Sequence, residues 1–422
     1  MDQQNILRAN NRIFSIHDPI IPTIQKLLVL YIVVWSISPP LQIDLIYRIA
    51  LLGCVGLWFL LNIPYNVKLE RIHILALGFG LFIIISELIV AKGDLSAVLR
   101  PMGYYILIIC FLMAHCYRNR WDELNWLVPI CLILLTYFNI KTYQTIIVDP
   151  SVARLIVRDD PTIYHYLRQG VGGYGLLYSQ VCVFPMILYW TIGSFKYSKI
   201  KLVIGTVYLV SFVLYLLNSG YTIAVVTVAV SLLVLLFYNR KSIVLAVVVT
   251  ALVLALLIWL IGYNEGFRNS LISFFDGTKT AEKIKDIYLS ITTTDTADSI
   301  LARKVRYEIS INTILSYPIT GGFWNNRTGG HSAILDTFAR YGIFGIYVYC
   351  KILFDFPLSL KKEVTERKEI RLANGVFISL LMINLLNSMN YYMAALIVFV
   401  FPLCYNDINK WKSCKNARKE KQ

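Results

Sequence analysis

The residues best suited to chemistry lie between Arg303 and Gly345. Arg303, Arg306, Arg327, His331 and Arg340 bring five cationic or titratable groups into one interval, with Asp336 among them. Imidazole titrates near neutral pH, so His331 can take a proton from a hydroxyl or donate a hydrogen bond to a phosphate. Gly329 and Gly330 precede it and let the backbone approach closely. A histidine in that place can equally do no more than cap the helix that follows. Arg303 and Arg306 are three apart on one helical face, so both can meet one ligand. The guanidinium fork suits phosphate, and a pair suits pyrophosphate; the plainer alternative is two solvated charges near lipid headgroups. Arg340 follows His331 by nine residues, roughly 13 Å along a helix. An arginine within a bilayer costs about 3 kcal/mol unless paired or wetted, and Asp336, four residues earlier, is its expected partner.

A second polar group comes earlier, with Arg154, Arg158, Asp159, Asp160, His165 and Arg168. Gly170, Gly172, Gly173 and Gly175 follow at the opening of an apolar run, and a helix N-terminus there suits an anion. Asp159-Asp160-Pro161 reads as a turn or as a divalent-ion site. Glu87 is an ionisable group in an apolar run near its outer end, where it can snorkel, or where a transporter would use it. The sequence contains no nucleophile elbow, no P-loop and no HExxH motif.

The elements that must position these groups are membrane helices. Of 422 residues, 57% are hydrophobic and 15% charged, with a mean hydropathy of +0.62. Apolar runs recur at about 22–38, 45–63, 72–91, 101–116, 124–140, 174–193, 200–218, 221–238, 243–262, 331–357, 372–387 and 391–406. They predict an all-α, polytopic bundle of about 12 transmembrane helices. The runs do not alternate, which excludes a β-barrel, and no cleavable signal follows the first. The net charge of +15 collects in alternate short turns and the tail, so it follows the positive-inside rule and calls for no nucleic acid. This pattern predicts both termini on the cytoplasmic side and two large outer loops, 141–173 and 263–330. Within the second, 297–315 reads as an amphipathic helix, and 407–422 is a basic cytoplasmic tail. The eight cysteines lie in apolar runs, at their inner ends or in the tail, so no disulfide framework is expected.

With an Arg-bearing amphipathic helix, a Gly-Gly turn, His331-Ser332-x-x-Leu335 and Gly342-x-x-Gly345, the chain resembles the O-antigen polymerase and O-antigen ligase superfamily. The spacing from His331 to Gly342 is similar to the polymerases' histidine motif in their second large loop. The first-loop pattern of arginine, ten residues, glycine is not matched strictly: eleven residues separate Arg158 from Gly170. Ser219-Gly220-Tyr221-Thr222 stands where many relatives carry an arginine. The resemblance implies a membrane-embedded, C-type glycosyltransferase that is inverting, metal-independent and without cofactor. Its donor would be a polyprenyl-pyrophosphate-linked oligosaccharide, with membrane lipid and a chain-length regulator protein as partners. It would work in a bacterial inner membrane, with its site on the extracytoplasmic face. His331, Arg303 and Arg306 would be catalytic, while Arg168, Arg158, Arg327, Arg340 and Asp336 would bind pyrophosphate or glycan. A polymerase is the favoured form. The alternatives are a ligase to lipid A core, a lipid-linked oligosaccharide flippase and a membrane O-acyltransferase.

Overall fold

The structure is a computed structural model that describes residues 20–62, 70–92, 98, 101–118, 120–149, 152, 163–276, 279–292, 298–322, 324, 328–364, 366–388 and 391–419. The described residues contain helices and turns and no strand. Each apolar run of the sequence is a helix, and in chain order the helices are α1 (Ile20–Ile37), α2 (Leu45–Asn62), α3 (Arg71–Val90), α4 (Met102–Cys116), α5 (Leu127–Val148), a short α6 (Ile163–Arg168), α7 (Tyr174–Ser194), α8 (Lys199–Asn218), α9 (Thr222–Phe237) and α10 (Ile243–Tyr263). The second long connection holds α11 (Glu265–Phe274), α12 (Lys279–Thr292) and α13 (Asp298–Ser316). The chain closes with α14 (Ala333–Glu363), α15 (Arg367–Leu386), α16 (Tyr391–Ala395) and α17 (Phe401–Lys419), the last two joined by a π-helical stretch at Leu396–Val400. Among the described residues ten helices are long and apolar enough to cross a membrane, whereas α4 and α9 are apolar but shorter.

Burial grades the helices. α7 and α15 are enclosed over most of their length, while α10 is mostly bare, and its Leu252, Leu256, Ile258 and Trp259 are exposed apolar side chains of the kind lipid covers. One buried polar pair is matched across two helices. Asn139 and Gln180 exchange two amide hydrogen bonds at 2.9 and 2.8 Å between α5 and α7, as a low-dielectric core requires.

The long connections differ from the sequence expectation in extent. α5 runs two turns beyond residue 140, and in this extension the hydroxyls of Thr142 and Thr145 donate back to the carbonyls of Phe138 and Lys141. The expected helix at 297–315 is present as α13, with α11 and α12 ahead of it. Val305, Ile309 and Leu315 of α13 are exposed while Ser310 and Thr313 are buried, so its small polar side meets the protein and its apolar side is left uncovered.

The main irregularity is in α14. Gly342 has φ 65° and ψ −163°, which breaks the helix in two. The segment after α13 fills the break: Gly322 N–H donates to Ala339 O at 2.7 Å and Ile343 N–H to Pro318 O at 3.1 Å. A Cβ at Gly342 would fall 2.6 Å from the amide nitrogen of Gly321, which itself has φ 73°, so glycine is needed on both sides of this seam.

Candidate active site

Ser332 caps α14, its hydroxyl accepting from Leu335 N–H at 3.1 Å. His331 therefore lies just ahead of the cap and is not itself the capping residue, which leaves its ring free of that role. The turn carrying it is pinned to α13. Gly329 N–H donates to Ser310 Oγ at 2.8 Å, and the Ser310 hydroxyl donates to Asp336 Oδ1 at 2.6 Å. The second oxygen, Asp336 Oδ2, accepts from Ser332 N–H at 2.9 Å. Gly329 rests directly on α13: a Cβ there would strike the carbonyl of Arg306, 2.6 Å from its carbon. His331 is thus held against the part of α13 that bears the two arginines.

The electrostatics agree with this arrangement. His331 is half-buried, and its pKa is lowered from the ordinary 6.5 by burial first, then by the charges of Arg306 and Arg303, with Asp336 opposing. Its neutral form is favoured, as a base operating near neutral pH needs. Arg306 is exposed and Arg303 half-buried, the latter close enough to Tyr178 of α7 and to Tyr307 to act on both phenols.

The expected Asp336–Arg340 pair does not form. Both Asp336 oxygens are taken by Ser310 and Ser332, and Arg340 reaches across to Glu87 of α3, Nη2 to Oε1 2.5 Å. Glu87 is 1% exposed and Arg340 23%, so Glu87 does not snorkel; it neutralises an arginine between two helices. Tyr341 OH also donates to Glu87 Oε1, at 3.4 Å.

A cavity of about 490 Å³ lies among the end of α1, the starts of α2, α4, α7 and α14, and the α15–α16 turn. That volume is in the range of small-molecule sites. Gly330, Ala333 and Asp336 line it, so the His331 turn forms part of its wall; Arg340 and Arg48 line it as well. The first long connection contributes Tyr164 and Leu167 of α6 and the glycine-rich start of α7. That start is fixed by Tyr215, whose hydroxyl donates to the carbonyls of Gly172 and Gly173 at 3.1 and 2.8 Å.

His331, Arg303, Arg306 and Asp336 are therefore one cluster, and Arg340 is a separate pair on the wall of the adjoining cavity. Arg168 is not brought to either: its side chain is 62% exposed and its Nη2 meets Asp44 at 2.8 Å. Arg158 and Arg327 lie outside the described residues. Sequence reasoning missed Ser310, which no local pattern marks, and Arg48, hidden one turn into an apolar run. It saw Glu87 without its partner. In comparisons with known proteins, no family model, no curated protein and no solved structure matches the chain.

Proposed function

We propose that this protein is a membrane-embedded glycosyltransferase that polymerises oligosaccharide repeat units carried on polyprenyl pyrophosphate. The observation that carries the reading is a histidine biased to its neutral form and pinned beside two arginines, at the wall of a cavity of about 490 Å³. The hydroxyl oxygen of the acceptor sugar attacks the anomeric carbon of the donor's reducing-end sugar with inversion. The bond from that carbon to the phosphate oxygen breaks, and its electron pair leaves with polyprenyl pyrophosphate. His331 takes the hydroxyl proton, and Arg303 and Arg306 meet the negative charge growing on the leaving diphosphate. The helix ends around the cavity are those that the basic-turn pattern assigns to the outer side, and in a bacterial inner membrane, which the family resemblance implies, that is the side on which such substrates are presented.

A second reading draws on different observations. The break in α14 at Gly342 and the Glu87–Arg340 pair are features a transporter also uses, so flipping of a lipid-linked oligosaccharide is the alternative from another class. A ligase differs from the polymerase only in its acceptor. One experiment separates the three. Purified protein is given polyprenyl-pyrophosphate oligosaccharide alone, with chelator present, and products are resolved on a gel for wild type and His331→Ala. A ladder in the wild type, absent in a folded variant, is the expected result. A ladder of normal length from His331→Ala would refute the assigned role. No wild-type ladder turns the choice to a ligase, tested by adding lipid A core, or to transport.

A further inference from the structure

One cation of the cavity has no part in the chemistry above. Arg48 of α2 lines the cavity, half-buried, and is held from one side. Its Nε and Nη2 both donate to the Gln42 carbonyl, at 3.0 and 2.9 Å. Gln42 is buried and fixed in turn, its Nε2 donating to the carbonyls of Trp35 and Ser36 at 3.2 and 2.9 Å. A guanidinium has five N–H donors; with two given to Gln42, three remain, two of them side by side on the Nη1–Nη2 edge. Among the described residues no carboxylate forms an ion pair with Arg48, whereas Arg340 has Glu87 and Arg168 has Asp44. Asp336, the carboxylate on the same wall, has both oxygens engaged by Ser310 and Ser332. Among the described residues Arg48 is thus an oriented cation with an open edge and no ion-pair partner.

The other lining groups narrow the ligand. Tyr104, Tyr164, Tyr174 and Tyr392 face the same cavity, and tyrosine offers an apolar face with a polar tip, the combination a sugar ring needs. A diphosphate calls for several converging cations, which the Arg303–Arg306–His331 cluster provides. A single fork with one open edge matches a single carboxylate, taken bidentately. We propose that Arg48 is the specificity determinant of a subsite for a carboxylated sugar, a uronic acid residue of the glycan. The inference rests on the reading that the cavity receives glycan, and its test reads binding, so it is separable from the polymerisation assay.

The test uses the full-length protein in nanodiscs of zwitterionic lipid. Calorimetry compares a disaccharide ending in glucuronic acid with its carboxyl-reduced counterpart. The wild type is expected to bind the acidic form about tenfold more tightly, the order of one charge-assisted contact. Arg48→Gln is expected to lower the acidic ligand to the level of the neutral one and leave the neutral affinity unchanged, which also reports that the variant is folded. Equal affinities in the wild type, or a preference that survives in Arg48→Gln, would overturn the assignment. If the variant binds neither ligand, competition in the wild type decides. Displacement of the acidic disaccharide by free glucuronate and not by inorganic pyrophosphate supports the sugar site. Displacement by equimolar pyrophosphate overturns it in favour of a diphosphate site.

Discussion

Gly329 and Gly330 are neighbours in sequence but fail for different reasons when given a side chain, and the contrast tests how His331 is positioned. In Gly329→Ala the added methyl would lie 2.6 Å from the Arg306 carbonyl carbon, against an ordinary contact of at least 3.4 Å. The carbon alone requires 3.4 − 2.6 = 0.8 Å, and the Arg306 carbonyl oxygen lies nearer still, so the turn must lift off α13 by more than that, because the obstacle is helix backbone and cannot swing aside. Lifting also stretches the Gly329 N–H bond to Ser310, worth about 1 kcal/mol. A displacement near 1 Å of a catalytic group costs on the order of 10²-fold in rate. In Gly330→Ala the methyl meets nothing within 4 Å, and the penalty is the φ of +70°, about 1–2 kcal/mol for a non-glycine residue. We expect ladder formation by Gly329→Ala to slow on the order of 10²-fold while thermal unfolding in detergent shifts only modestly. Gly330→Ala should lose stability of similar size and keep most of its rate. Initial rates of chain growth beside the unfolding midpoints check this. Wild-type rates from a folded Gly329→Ala, or a slower Gly330→Ala, would refute the claim that contact with α13 places His331.

The pH profile carries a further prediction. In the proposed mechanism His331 is the base in its neutral form, and its pKa is lowered from 6.5, chiefly by burial, so the rate should hold as pH falls past 6.5 and decline only below it. Arg306→Gln removes a charge that lowers the pKa and should move this acid limb upward; Asp336→Asn removes the charge that raises it and should move the limb downward. An acid limb that ignores both substitutions would show that another group titrates. Breaking the Arg340–Glu87 pair should destabilise by about 3–5 kcal/mol when Arg340→Gln leaves Glu87 uncompensated. Because Glu87 is 1% exposed and Arg340 23%, Glu87→Gln should cost less, and the double variant should recover part of the loss. Denaturation of the three proteins in one detergent gives the comparison, and equal losses for the two single variants would count against it.

The bundle was legible because every apolar run has the length and composition of a buried or lipid-facing helix, and these properties are local. His331, Arg303 and Arg306 were legible as a group because one connection carries all three. Arg340 shows where local spacing fails. Asp336 is one turn away on the same face, yet it is already committed to Ser310 and Ser332, and Arg340 instead finds Glu87, 253 positions away in sequence (340 − 87). Competition among partners across helices decided the pairing, and no window around residue 340 contains it. The apolar stripe on α13 was visible and reads as a membrane-surface face, but the packing that leaves it uncovered was not. Packing α13 onto α14 requires a narrow side, which Ser310 and Thr313 supply, so the larger apolar residues turn away. The break in α14 likewise needs the segment from Pro318 to Gly322, whose backbone replaces hydrogen bonds lost at Gly342.

These attachments have a common consequence for α13. It is joined to the start of α14 at three successive levels: Gly329 against Arg306, Ser310 to Asp336, and Pro318–Gly322 within the break at Gly342. The first two use backbone contact and a doubly engaged carboxylate, neither of which depends on a long flexible side chain. The stretch of α13 backbone that bears Arg303 and Arg306 is thereby held against the His331 turn before any ligand arrives. A site that stabilises a developing diphosphate charge gains from such preorganisation, because no reorganisation is left for the moment of reaction. The Glu87–Arg340 pair joins α14 to α3 independently of α13. The cavity wall and the histidine cluster therefore share one helix, α14, but are braced from opposite sides, so a change at the α3 contact should reach stability before it reaches the geometry of His331.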